Sequence, residues 1–133
     1  LAMVLPASMR LRGHRCFDHL HRRGKRYHGT LMVLRKAASN SKLLRRSTKG
    51  MLGRGQSPSC RIAVVISGKV HKRAVVRNRL RRRMHDHLRM RFESRSEHAD
   101  CWLMISLRPG ADTGEANLLE ECDRLLEQAG LKP

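Results

Sequence analysis

Between Arg73 and Phe92 an apolar residue recurs at every fourth position: Val76, Leu80, Met84, Leu88 and Phe92. At about 100° per residue, that spacing draws one narrow, slowly drifting apolar stripe along a helix. A helix of this kind must lay its stripe on another layer. Much of its remaining surface is cationic, because KRAVVRNRLRRR, residues 72–83, holds seven positive charges in twelve residues and no carboxylate. Asn78, Arg79, Arg82 and Arg89 fall away from the stripe, whereas Arg77 and Arg81 flank it. Arg77 and Arg81 stand four apart, so like charges stack on the flank at a cost of roughly a few tenths of a kcal/mol. A solvated face normally mixes signs, and here no acids interleave. The repulsion therefore points to an external anion, and planar guanidinium groups match phosphate oxygens bidentately. The pattern gives this helix an RNA- or DNA-facing role.

Apolar runs frame the helix. CRIAVVIS, residues 60–67, is β-branched and apolar on both parities, which predicts a central strand covered on both faces. DCWLMISLR, residues 100–108, predicts another strand, stopped by Pro109-Gly110. Earlier, GHRCFDHLHRRG, residues 13–24, reads as a short helix with Phe17 and Leu20 on one face and Gly24 as its stop. YHGTLMVLRKA follows as a strand, with Leu31 and Val33 on one side and Met32 and Leu34 on the other. A last helix, capped by Asp112 or Thr113 and running to Ala129, would bury Leu118, Leu119, Cys122, Leu125 and Leu126. Residues 39–59 are rich in Ser, Gly and basic residues without periodicity, which reads as a long, mobile basic loop. The order predicts a single α/β sandwich with helices packed on one small sheet, without internal repeats.

Composition narrows the partner. The chain has 133 residues and a net charge of +18, a field that favours polyanions. Residues 1–85 hold 23 Lys/Arg and a single acid, Asp18, whereas residues 86–133 hold 6 Lys/Arg and 10 acids. The basic portion is thus the expected contact surface and the acidic remainder structural. With aromatic content at 3%, base stacking on aromatic platforms cannot be the main binding device. Cys16, Cys60, Cys101 and Cys122 lie far apart, which suits free thiols in a reducing compartment better than a zinc module or disulfide framework. LAMVLPASM is too short for the apolar core of a signal peptide, and no run reaches the roughly 18 apolar residues of a membrane span. A soluble cytoplasmic protein without a membrane partner is expected.

Catalytic patterns fail on spacing. His19/His21 and His85/His87 are i, i+2 pairs whose side chains diverge on a helix, so they read as surface or RNA-proximal histidines rather than metal ligands. Glu120, Glu121 and Asp123 sit beside a leucine-rich face and read as solvated helix surface. A self-sufficient ribonuclease would need acids or histidines in the basic half, where Asp18 is the only carboxylate. A small basic ribosomal or RNA-packing protein would share this charge and length.

SGKVHKRAVVRNRLRRRMHDHLR, residues 67–89, resembles the R-N-R signature helix of the bacterial ribonuclease P protein subunit. LPASMRLRGHRCFDHLHRRGKRYHG resembles that family's N-terminal segment, and CWLMISLRPGA falls where the family has a strand. The resemblance covers roughly residues 5–130 as one domain. It implies an α+β fold: a small mixed sheet packed with helices, and a left-handed βαβ crossover carrying the R-N-R helix, as in the second domain of ribosomal protein S5. It implies an RNA-binding subunit that helps a catalytic RNA remove the 5′ leader from precursor tRNA, itself without catalytic groups. Mg2+ would be held chiefly by the RNA, with no cofactor or metal bound by the protein's own ligands. By position, Lys69, Lys72, Arg73, Arg77, Asn78, Arg79, Arg81 and Arg82 become the RNA-binding set. Asn78 can both donate and accept among arginines that only donate. Phe17, His21 and Arg35 match the family's leader cleft, between its first helix and the sheet. Relatives often carry aromatics where His21 and Arg35 stand, a basic residue at His85 and a lysine at Gly68.

Overall fold

The computed structural model describes Leu5 and residues 9–38, 61–93 and 101–131. The basic loop expected over residues 39–59 lies outside them. Helix α1 (His14–Arg23) leads into strands β1 (Lys25–His28) and β2 (Met32–Ala38). Strand β3 (Arg61–Val65), helix α2 (Ala74–Glu93), strand β4 (Cys101–Leu107) and helix α3 (Glu115–Gln128) complete the chain. The four strands form one mixed sheet in the order β1-β2-β4-β3. β1 and β2 are antiparallel, as are β2 and β4, whereas β3 and β4 are parallel neighbours joined through α2. The fold is α+β. Among the described residues no helix is long and apolar enough to cross a membrane.

Two sequence expectations are corrected. The run read as a single strand over residues 27–37 is a hairpin. Gly29 N–H donates to Met32 O at 2.9 Å, and β1 extends back into the polar stretch KRYH, which alternation alone did not mark. Strand β3, expected at the centre, is an edge strand; β4 is central. Its apolar character has a different cause. Both faces of β3 are covered, by Ile62 in one core cluster and Ala63 in the other. Its free edge is taken by the N-terminal segment, where Leu11 N–H donates to Ile62 O at 3.0 Å and Arg10 bridges Ile62. Leu5, Met9 and Leu11 are buried, so these described residues of the N-terminal segment belong to the core.

α2 and α3 cover one sheet face. Leu80, Met84 and Leu88 of α2 pack with Met32, Leu34, Leu103 and Ile105 of the sheet and with Leu118, Cys122, Leu125 and Leu126 of α3. Burial pushes the Cys122 thiol up to about 12, so it packs as an apolar side chain. α1 covers part of the opposite face, where Cys16 and Leu20 meet Ala37, Ala63, Trp102 and Met104. α3 starts at Gly114 without a side-chain cap, because the Thr113 hydroxyl donates to Gly110 O at 2.9 Å in the preceding turn. The capping role expected of Asp112 or Thr113 is therefore not taken.

Of the α3 acids read as solvated surface, Glu120 is exposed, but Glu121 and Asp123 are engaged within the fold. Glu121 is buried, and its carboxylate accepts the N–H groups of Thr30 at 3.1 Å and Leu31 at 2.7 Å in the β1–β2 turn. A Cβ on Gly29 would come within 2.6 Å of that carboxylate, so only glycine allows the approach. Asp123 accepts from Arg91 at 2.8 Å and pairs with His87 at 2.7 Å, while Arg91 also donates to Leu131 O at 2.7 Å. These contacts fasten α2 to α3. Glu121→Ala would orphan two amides and should cost about 2–4 kcal/mol in urea denaturation, whereas exposed Glu120→Ala should stay within about 0.5 kcal/mol.

Candidate nucleic-acid interface

α2 begins where His71 Nδ1 accepts the Arg73 N–H at 3.1 Å. Arg77 turns back over this start: its Nη1 donates to the carbonyls of His71 at 2.9 Å and Lys72 at 2.8 Å. Arg77, read from the sequence as part of the RNA-facing set, thus braces the loop that carries Lys69 and Lys72. Those two lysines and Arg73 are exposed, and buried Val70 pins the loop between them to the core.

Beyond the first turn, Asn78, Arg79, Arg82 and Arg83 are exposed and Arg81 is half-buried. Arg81 Nη1 donates to Asn78 Oδ1 at 3.0 Å, so the amide between the arginines fixes one of them on the helix flank. Arg79, Arg82 and Arg83, with Asp86, border a hollow of ≈ 270 Å³. His85 does not join this surface. It is buried, and burial first, then Arg81 and Arg10, lower its pKa from the ordinary histidine value, so the ring is neutral near pH 7. Histidine at this position adds packing, not charge. The sequence placed it at the surface because position 85 lies on the edge of the apolar stripe, where periodicity alone does not decide.

The second region lies on the other sheet face. Strand register places Val33 and Arg35 of β2, Ser106 of β4 and Val65 of β3 on the side that α1 only partly covers, and all four are half-buried. α1 sits on this face with two unlike flanks. On one, the His19 ring meets Trp102 edge-on at 5.5 Å and hydrogen-bonds Ala38 O at 3.3 Å. On the other, Phe17 packs half-buried against the cluster of Cys16, Leu20 and Trp102, and His21, one turn on, is exposed. Gly24 ends the helix against β2: a Cβ there would strike Leu20 O and lie 3.5 Å from the Arg35 Cβ. The glycine therefore allows the tight turn over Leu20 O at the end of α1, and Arg35 lies at ordinary contact distance beside it. Phe17 and His21 stand four residues apart on α1, and Arg35 lies on the sheet face that α1 covers, beside the end of that helix. The four histidines of the H-x-H pairs are dispersed, to Trp102, to solvent, to the core and to Asp123. Among the described residues no three His, Cys, Asp or Glu side chains converge as metal ligands.

The sequence matches the family model described as Ribonuclease P over residues 5–130. Among curated proteins it is similar to a ribonuclease P protein component of Synechococcus sp. (strain WH7803), 81% identical, covering 98% of this chain and 100% of that one. A counterpart from Prochlorococcus marinus (strain MIT 9313) is 59% identical over 97% of this chain and 98% of its own. Solved structures share the fold at low identity. The Staphylococcus aureus RNase P protein superposes with a TM-score of 0.67 at 16% identity, covering 94% of this chain and 98% of that one. The Thermotoga maritima protein, solved with 1-(4-fluorophenyl)-2-thiourea, gives 0.63 at 18%, covering 92% and 97%. Near-complete relatives at such identity and a family match across almost the whole sequence agree, and the chain belongs to the Ribonuclease P protein family.

Proposed function

We propose that this chain is the RNA-binding protein subunit of ribonuclease P in the cytoplasm, assisting a catalytic RNA in endonucleolytic removal of the 5′ leader from precursor tRNA. The observation that carries the reading is the exposed arginine face of α2, anchored from beneath by Leu80, Met84 and Leu88. Asn78, Arg79, Arg82 and Arg83, with Lys69, Lys72 and Arg73 from the preceding turn, would meet phosphates of the catalytic RNA. Arg81, held by Asn78, would set the register, and Arg77 would keep the loop in place. The open face bordered by Phe17, His21 and Arg35 would take the single-stranded leader, whose bases and phosphates can both be reached. With few aromatics available, Arg35 would supply both a stacking plane for a base and a charge for its phosphate. The protein contributes binding and charge; the chemistry, with its Mg2+, resides chiefly in the RNA. The single carboxylate of the first 85 residues supports this division.

The isolated protein should therefore leave precursor tRNA intact and should accelerate leader removal only when the catalytic RNA is added. The acceleration should be greatest at low magnesium, where protein cations replace scarce counterions. Cleavage by rigorously RNA-free protein would overturn the assignment of the chemistry.

Arg79→Ala and Arg82→Ala should each weaken binding to the catalytic RNA and lower the log–log salt slope by about 0.7–0.9, one phosphate contact's worth. Urea midpoints should hardly move, because both side chains are exposed. A loss of folding in either variant would place that residue in the core.

Arg35→Glu should weaken holoenzyme affinity for precursor tRNA and leave mature tRNA binding nearly unchanged, since only the precursor carries a leader. Equal losses for both ligands would reassign Arg35 to the catalytic RNA.

A further inference from the structure

Arg26 of β1 is the register partner of Arg35 of β2. Residues opposed in this way project from one face with their Cβ atoms about 4.5–5.5 Å apart, and like charges so placed destabilise the pair. The face is the one on which α1 lies. The preceding pair, Lys25 with Lys36, projects oppositely and is relieved within the protein. Lys36 Nζ donates to Ala129 O at 2.8 Å, and Lys25 lies 5.6 Å from the centre of the Tyr27 ring. Arg26 and Arg35 have no such outlet. Among the described residues neither guanidinium has a hydrogen-bond or carboxylate partner, and burial first, then Arg26, lowers the pKa of Arg35. Asp18, the only acid of residues 1–85, lines a different hollow with Arg15, His19, Arg22 and Arg23.

We propose that Arg26 and Arg35 form a two-guanidinium clamp for one phosphate of the single-stranded leader, placed where the open sheet face runs out over the β1 edge. The inference rests on the leader reading above and adds the strand's exit, together with a residue, Arg26, that neither sequence spacing nor the resemblance singles out. A phosphodiester has two non-bridging oxygens, one for each guanidinium fork. Its charge also removes the repulsion that the pair carries in the free protein, so binding is favoured by more than the new hydrogen bonds. β1 is the outer strand of the sheet, which leaves the clamp open to a chain passing over it. Phe17 on one side and the clamp on the other would then span the leader segment that lies against the sheet.

Arg26→Glu separates binding from structure, because it sets a carboxylate against Arg35. The free protein should gain thermal stability as repulsion becomes attraction, while holoenzyme affinity for precursor tRNA should fall by about tenfold or more and mature tRNA binding stay unchanged. Arg26→Gln should show a smaller loss. That loss should vanish when the leader is shortened past the clamped phosphate, or when that one phosphate is replaced by a neutral methylphosphonate. Phe17→Ala measured alongside separates the two readings. If it weakens precursor binding and Arg26→Gln does not, the clamp is overturned and the leader cleft stands. If neither variant discriminates precursor from mature tRNA, both are overturned. Equal losses by Arg26→Gln for the two ligands would also overturn the clamp, by assigning the pair to the tRNA body or the catalytic RNA.

Discussion

Leu80, Met84 and Leu88 lie fully buried between the arginine helix and the sheet, and that burial is what permits the rest of the molecule. Each such side chain contributes about 1.5–3 kcal/mol on leaving water. Each pair of like charges along the helix costs only a few tenths of a kcal/mol, roughly a tenth of that. One apolar stripe therefore outweighs a surface that would otherwise repel itself apart. The helix is stable in the free protein with Arg79, Arg82 and Arg83 already exposed, so in the proposed reading RNA would meet a formed face rather than a chain that must order on contact. Salt screens the repulsion and the attraction to phosphate alike.

The sheet divides two tasks. α2 and α3 lie on one face and α1 on the other, so the arginine surface and the open stretch beside Phe17 look in different directions. In the proposed reading, this lets one small domain hold the catalytic RNA on one side and the leader on the other. The acidic C-terminal part serves this division indirectly. Glu121 shapes the β1–β2 turn, and Asp123 ties Arg91 and His87 to α3. Glu121 and Asp123 thus act within the fold, whereas Asp86 borders the arginine face itself.

Much of this was legible in the sequence. The four-residue apolar period placed α2 within a residue or two of its ends, and the leucines of the last helix named its buried face correctly, with Leu119 half-buried at the margin. The misreadings share a cause. Glu121 looked like solvated surface because its partners, the amides of Thr30 and Leu31, lie some 90 residues away. β3 looked central because its edge is covered by a segment whose pairing no local pattern announces. Periodicity put Arg77 on the flank of the stripe but could not show the His71 and Lys72 carbonyls within its reach.

The sequence by itself determined the elements that depend on local period and composition: the stripe that anchors α2, the cationic surface beside it, and the absence of carboxylates among residues 72–83. Only the tertiary structure decided which charges meet. It set Arg26 beside Arg35 through strand register, brought Asp123 to Arg91 and His87, and put His85 in the core. The physical reason is range. Helical and strand periods are properties of neighbours in the chain, whereas the partner of a charge is chosen by packing between segments that the sequence keeps far apart.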